Sequence, residues 1–284
     1  MDNVRVVRVG LNRWEYSPAV DWPAEPVNFF AVSPMDVRMN DEWAAMTVSY
    51  NHTDGGNGAF FRPADTDLLV AVRMLADQSS GRIRLNFRHA LARISLSVKT
   101  SHVEGQAVRI GRVSFEGRAE GTLRLPNQTT SPETFDGSLI HNWTIWNTHG
   151  NSLILYEATE GYLALTEAPI ALLEAGKYVV PDFLTPIHNS GEVTGQRFDV
   201  YYQIVDSRTG ERLWPNEHTD WWDLATPSSR EWGVGRYALY GHTPDNTLLP
   251  GYHYRYTLTI DKASHLPSRS GEDASSLSVE VQPY

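Results

Sequence analysis

The stretch Tyr252-His-Tyr-Arg-Tyr-Thr-Leu-Thr-Ile260 places aromatic or aliphatic residues at even positions and polar residues at odd positions. Successive side chains of a β-strand point to opposite faces of the sheet, so this pattern predicts a strand with one buried and one solvated face. The same alternation recurs at residues 198–204 and 277–281. Turn-forming Gly, Pro and Asp residues separate such runs, which predicts an all-β sandwich or barrel.

The composition is that of a folded chain with an acidic C-terminal half. The protein has 284 residues, of which 41% are apolar and 11% aromatic, so it can bury a sizeable core. Its length favours two domains, with one large β domain as the alternative. The formal net charge is −10, which argues against nucleic acid or an anionic membrane surface as partner.

A domain boundary is predicted near the middle of the chain. Residues 1–155 carry 15 basic and 16 acidic side chains, net −1, whereas residues 156–284 carry 9 and 18, net −9. The change in charge balance falls in the stretch 147–161, just after an aromatic run that ends at Trp146. We therefore expect an N-terminal domain at residues 1–155 and a C-terminal domain at residues 156–284.

The sequence contains no recognisable catalytic, cofactor-binding or metal-binding motif. The chain has no Cys, which removes disulfides, thiolate nucleophiles and cysteine zinc sites together. It has no nucleophile elbow, phosphate-binding loop or dinucleotide fingerprint, and its ten His residues form no metal-binding spacing. We therefore expect a non-enzyme with no catalytic residue, no cofactor and no metal. A β-sandwich glycosidase stays a remote alternative, because its two carboxylates need no motif and Asp220 and Asp223 flank a Trp pair.

Tryptophan is concentrated in one loop-rich segment between residues 214 and 232. Exposed rings there would form a platform for sugar faces or for a host protein, whereas buried rings would be core. Burial of most of the rings is favoured, with at least one exposed. The candidate platform residues are Trp214, Trp221, Trp222 and Trp232.

The apolar pattern changes phase around His89. Ile83, Leu85 and Phe87 are odd-numbered, whereas the run that begins at Ile94 is even-numbered. A shift of one residue moves every side chain to the opposite face, so one flat strand cannot serve both runs. We expect a bulge, or a bend from one sheet to another, between them.

This same segment, Leu85-Asn-Phe-Arg-His-Ala-Leu-Ala-Arg-Ile-Ser-Leu-Ser-Val98, resembles the signature strand of the fimbrillin (Mfa-like) family of Bacteroidales-type pilus and cell-surface proteins. Three other segments resemble family strands in the same order along the chain. They are Asn28-Phe-Phe-Ala-Val-Ser-Pro34, Asp67-Leu-Leu-Val-Ala71 and Pro250-Gly-Tyr-His-Tyr-Arg-Tyr-Thr-Leu-Thr-Ile260.

The resemblance implies two tandem transthyretin-like β-sandwich domains and a non-enzymatic role at the cell surface. It also implies export, usually as an outer-membrane lipoprotein, although no signal segment or lipidated Cys precedes Asp2 in this sequence. Family members form the stalk, anchor or tip of a pilus. The short tail after Val281 leaves little donor segment, which favours a tip or accessory subunit. The expected partners are other pilus subunits, host surface proteins or glycans.

Stalk subunits of the family are implied to lose their first strand by cleavage after an Arg and then to accept a strand from the next subunit. The first and last strands of this chain are the candidates for exchange, and the alternative is that both belong to the closed fold. The candidate exchange residues are Val4, Val6, Val9, Leu11, Leu277, Val279 and Val281. The candidate cleavage residues are Arg5, Arg8 and Arg13.

Overall fold

The computed structural model describes most of the chain, with gaps. The described residues are 6–10, 13–16, 21, 23–34, 45–49, 60–61, 65–76, 83–101, 104–118, 120–125, 139–145, 151–159, 161–185, 195–226, 229–260 and 277–284.

Within these residues the regular structure consists of β-strands and short 3₁₀ helices, so the all-β prediction is confirmed. The 3₁₀ helices are Leu139–Asn142, Trp221–Asp223 and Pro244–Asn246. The strands are β1 (Val6–Gly10), β2 (Arg13–Tyr16), β3 (Val27–Ser33), β4 (Ala45–Ser49), β5 (Phe60–Phe61), β6 (Leu69–Ala76), β7 (Arg88–His89), β8 (Ala92–Thr100), β9 (Gln106–Gly117), β10 (Glu120–Arg124), β11 (Trp143–Ile145), β12 (Asn151–Glu157), β13 (Leu163–Ala164), β14 (Ile170–Val179), β15 (Asp182–Phe183), β16 (Arg197–Asp206), β17 (Arg212–Trp214), β18 (Leu224–Thr226), β19 (Ser229–Ala238), β20 (Thr247–Leu248), β21 (Tyr252–Ile260) and β22 (Leu277–Pro283).

The larger hydrophobic core lies between two sheets. A seven-stranded sheet has the order β12-β9-β16-β19-β18, with β13 added to β9 and β17 added to β16. A four-stranded sheet has the order β14-β8-β21-β22, in which β8 and β21 run parallel and the other pairs run antiparallel. Phe198 of the first sheet meets Tyr256 of the second edge to face, with ring centroids 5.2 Å apart. We call the hydrophobic core between these two sheets the main core.

A second core is built mainly from the N-terminal part of the chain. Two further sheets contribute to it, with the orders β3-β6-β7 and β11-β10-β4-β5. Leu68, Leu91 and Leu123 are fully buried there, and Trp143 donates an indole hydrogen bond to the Ala90 carbonyl at 3.1 Å. The structure therefore has tandem β-sandwich cores, whereas the transthyretin-like strand order stays a prediction.

The phase change around His89 is a passage from one sheet to another, as predicted. β7 pairs with β6 beside the second core, and β8 pairs with β14 and β21 beside the main core. Ala90 and Leu91 lie between them, fully buried, and their main chains bond to Leu68 and Gly251 at 2.8 Å each. The even-numbered run from Ile94 serves the main core. Ile83, Leu85 and Phe87 precede β7, lie in no strand and belong to neither core, and Phe87 is 47% exposed.

The predicted domain division at residues 155 and 156 falls inside β12. β9, which precedes the division, pairs along its length with β16, which follows it. β8 pairs in the same way with β14 and β21. The division therefore stays a prediction, and strand pairing does not follow it.

Candidate assembly surfaces

β22 lies at the edge of the four-stranded sheet. Its register with β21 runs from Leu258 opposite Leu277 to Tyr252 opposite Pro283. Among the strands that the structure describes, none pairs with the second side of β22. Leu277 is buried in the main core, and Val279 and Val281 pack against it half-buried. In this structure the predicted exchange residues of β22 therefore pack in their own chain, while no described strand covers the outer edge, and their exchange stays a prediction.

β1 forms a hairpin with β2 and joins no other sheet in the described part of the chain. The side chains of Val6, Val7 and Val9 are 53%, 40% and 48% exposed, which is unusual for valine. Among the hairpin residues whose side chains the structure describes, none belongs to either hydrophobic core.

The remaining predicted residues of the N-terminal segment are described only in part. Arg8 and Arg13 lie on β1 and β2, with side chains outside the described set. Val4, Arg5 and Leu11 lie outside the described residues altogether.

The predicted tryptophan platform is divided between core and surface. Trp214 is only 4% exposed and packs on Tyr202, with ring centroids 4.5 Å apart. Trp232 is half-buried, and its ring covers Gly111. Trp221 is 64% exposed, whereas the Trp222 side chain lies outside the described set. Trp214 therefore belongs to the main core, and Trp221 is the exposed ring that the sequence pattern anticipates.

The two carboxylates of the glycosidase alternative lie at the ends of one 3₁₀ turn. Asp220 precedes the helix Trp221–Asp223 and is exposed, whereas Asp223 is its last residue and is buried. The Asp223 amide donates to the Asp220 carbonyl at 3.1 Å. This main-chain hydrogen bond closes the 3₁₀ turn between the two aspartates.

A buried carboxylate joins β15 to the start of β16. The Arg118 Nε atom lies 3.0 Å from Asp182 Oδ2, and the Gln196 amide donates to the same oxygen. The side-chain carbonyl oxygen of Gln196 in turn accepts a hydrogen bond from the main-chain amide of Thr185 at 3.1 Å. Burial raises the pKa of Asp182 to about 6, although the Arg118 charge opposes the shift. This network was not anticipated, because its members are far apart in sequence and follow no motif.

A second unanticipated cluster surrounds Tyr284, directly after β22. Its ring meets His89, with centroids 4.5 Å apart, and Tyr178, with centroids 6.0 Å apart. The guanidinium carbon of Arg93 lies 6.0 Å from the ring centre. His89 and Arg93 stand on either side of the bend between β7 and β8, so this cluster lies where the two cores meet. The phase change pointed to the bend, but no local pattern could pair it with residue 284.

The described residues contain no group of three or more His, Asp or Glu side chains arranged to hold a metal ion. No helix in the described part of the chain has the length and hydropathy needed to cross a membrane.

Comparison with known proteins identifies the family. The family model described as fimbrillin-like matches residues 1–166, which is more than half of the chain. No curated protein matches the chain. This chain therefore belongs to the fimbrillin-like family, as its signature strand predicts.

Two solved structures from Bacteroides species match the chain at low sequence identity. A "putative cell adhesion protein" from Bacteroides uniformis is 16% identical, with a TM-score of 0.45, over 96% of this chain and 78% of that one. A fimbrial protein from Bacteroides vulgatus is 12% identical, with a TM-score of 0.43, over 100% of this chain and 85% of that one.

Proposed function

We propose that this chain is a subunit of a surface pilus, in a tip or accessory position, that joins its neighbours by β-strand pairing. Membership of the fimbrillin-like family supports a pilus or adhesion role without catalysis. The observation that carries the pairing is the edge position of β22, whose one side bonds to β21 while the other meets no described strand. An incoming strand pairs readily with such an edge.

The N-terminal hairpin supports a part for the first strand in the same process. Because Val6, Val7 and Val9 are substantially exposed, releasing β1 would cost little buried apolar area. A free β1 would also present the apolar side chains of Val6, Val7 and Val9, which could fill pockets in the groove of a partner. Export to the cell surface and a lipid anchor at the outer membrane are parts of this proposal.

The assembly proposal is tested by digestion with an arginine-specific protease, followed by light scattering on a size-exclusion column. We expect cleavage within the first sixteen residues and growth of ordered species, or capture of added pilus subunits from the same bacterium. The matched control replaces Arg5, Arg8 and Arg13 with Lys, which keeps the charge and removes the cleavage sites. If the chain stays uncut near its start and captures no partner strand, the strand-exchange proposal is wrong.

A glycan- or host-protein-binding role is the second candidate function, and the exposure of Trp221 is the observation that favours it. A flat exposed ring can stack on the apolar face of a sugar or anchor a protein interface. Glycan arrays probed with the chain and with Trp221→Ala and Trp222→Ala variants test this role. Binding that is unchanged in both variants would remove the tryptophan segment from the argument.

A further inference from the structure

Tyr284 is enclosed by side chains from four different strands. His89 of β7 and Tyr178 of β14 contact its ring, and His253 of β21 meets it edge on, with ring centroids 6.5 Å apart. Arg93 of β8 lies under both Tyr178 and Tyr284, 5.6 Å and 6.0 Å from the ring centres. Three rings and one cation therefore surround the phenol of Tyr284. Because the face of an aromatic ring is negative and its edge positive, tilted ring pairs and a cation over the face are both favourable.

The polar atoms of Tyr284 bond to main-chain oxygens of the same enclosure. Its hydroxyl donates to the Leu91 carbonyl at 3.0 Å, and its amide donates to the Gly251 carbonyl at 3.1 Å. Burial raises the pKa of Tyr284, with smaller contributions from Asp67 and Tyr178, so the hydroxyl stays a neutral donor. A phenylalanine ring would fit the same space but would leave the Leu91 carbonyl without this donor.

The walls of the enclosure are held by bonds of their own. Asp67 accepts a hydrogen bond from the His89 ring and another from the Leu68 amide, the second at 2.8 Å. The His253 ring bonds to the Ser95 hydroxyl at 3.0 Å. None of these bonds involves Tyr284, so both imidazoles keep a fixed partner that does not depend on the tyrosine, which favours a preorganised enclosure.

The spacing of the last segment matches this geometry. Leu277, Val279 and Val281 face the main core in alternation, and Tyr284 follows three residues after Val281. The ladder with β21 fixes the register of the segment. A strand shifted by one residue would turn its apolar side chains outward and carry its Tyr away from Leu91.

We propose that His89, Arg93, Tyr178, His253 and the Leu91 carbonyl form a tyrosine-binding socket. The socket accepts a strand whose Tyr lies three residues after its last core-facing residue. Its occupant is the segment of residues 277–284, supplied by the chain itself in the closed fold and by a second copy when strands are exchanged. The use in exchange rests on the proposed function, whereas the specificity for tyrosine does not.

The first measurement is hydrogen exchange of the intact chain and of Tyr284→Ala and Tyr284→Phe variants. We expect amide exchange at residues 277–282 to rise at least about 10-fold in Tyr284→Ala and less in Tyr284→Phe, because the second variant loses only one hydrogen bond. Tyr252→Ala is the matched control, since it removes a more exposed ring from the same ladder and should leave this protection unchanged. Protection of β22 that is unchanged in Tyr284→Ala would overturn the proposal.

The second measurement offers labelled peptides of residues 277–284 to the Tyr284→Ala chain, ending in Tyr, Phe or Ala. We expect the Phe peptide to bind up to about 10-fold more weakly than the Tyr peptide, through loss of the bond to Leu91. We expect the Ala peptide to bind about 100-fold more weakly than the Tyr peptide, through loss of the buried ring as well. The preference should shrink when His89→Ala is added to the chain.

Equal binding of the three peptides, or binding of none, would overturn the socket. If the peptides are discriminated but the arginine-protease experiment yields no assembly, the socket stands and the pilus proposal fails. If assembly occurs without discrimination, the pilus proposal stands and the socket fails.

Discussion

His253 and Asp182 are buried titratable residues whose pKa values move in opposite directions. Burial, together with the charges of Arg93 and Arg255, lowers the pKa of His253 to about 4, and burial raises that of Asp182 to about 6. Between pH 6.5 and 4 the unfolded chain protonates the histidine while the folded chain does not, so acidification removes stability. Between pH 6 and 4 the folded chain protonates Asp182 first, so acidification adds stability.

The two contributions predict opposite pH responses for two variants. From pH 7 to pH 4, we expect His253→Gln to gain stability relative to the unmodified chain and Asp182→Asn to lose it, each on the order of 2–3 kcal/mol. Guanidinium unfolding midpoints measured at half-unit pH steps give this comparison. If both variants keep a constant offset from the unmodified chain across this interval, the burial argument for these two groups is wrong.

Gly233 lies flat against the buried ring of Trp214. A Cβ atom at position 233 would lie 1.9 Å from the Trp214 ring, which is too close for either group to remain in place. We predict that Gly233→Ala lowers the free energy of unfolding by about 2–3 kcal/mol, because the tightly packed core has to rearrange. Chemical denaturation of the two proteins measures the loss.

Gly111→Ala is the matched control for this substitution. Its Cβ would lie 3.0 Å from the ring of Trp232, which is half-buried and can shift towards solvent. We therefore expect a smaller loss than at Gly233. Equal losses at the two sites would show that burial of the covering Trp does not set the cost.

At the level of single strands, β8 combines a strict alternation with a central position in its sheet. Ile94, Leu96 and Val98 face the main core, and β14 and β21 pair with its two edges. We predict that Leu96→Ala costs about 2–5 kcal/mol, because it leaves a cavity in a fully buried site. The neighbour Ser97→Ala, on the opposite face and half-buried, should cost less than about 0.5 kcal/mol. Thermal or urea unfolding of both variants checks the predicted face.

The strands were predictable where one face is buried and the neighbours are local. The alternation at residues 252–260 and 277–281 matches β21 and β22, and the phase change near His89 correctly indicates a passage between sheets. The partners of the strands were not predictable, because the parallel pairing of β8 with β21 joins residues far apart in the chain. An apolar residue at every second position identifies the buried face of a strand, but it does not identify the strand with which it pairs.

The candidate sites were predicted less completely than the strands, for a related reason. Counting tryptophans located the segment around Trp221, but only packing shows that Trp214 is buried and Trp221 exposed. The enclosure of Tyr284 depends on side chains from β7, β8, β14 and β21, and it exists only after all four strands have assembled. A sequence pattern within one strand cannot predict contacts among side chains of four different strands.

Across the whole molecule, the passage from β7 to β8 and the contacts of Tyr284 connect the second core to the main core. Leu91 is buried in the second core, and its carbonyl receives the Tyr284 hydroxyl and the Gly251 amide. The edge strand β22 is thus attached at one end to the main core through Leu277 and at the other to the region where the cores meet. Release of β22, or its pairing with another strand, would therefore change the packing of both cores. This is expected of a subunit that changes conformation on assembly.

Immunogold electron microscopy on intact cells of the producing bacterium tests the central claim, membership of a surface pilus, most directly. An antibody against the chain should label surface fibres, and label concentrated at fibre ends is expected for a tip subunit. Sparse label along the fibres is expected for an accessory subunit. Label confined to the cell interior, or a cell surface whose fibres carry none, would contradict the proposed function.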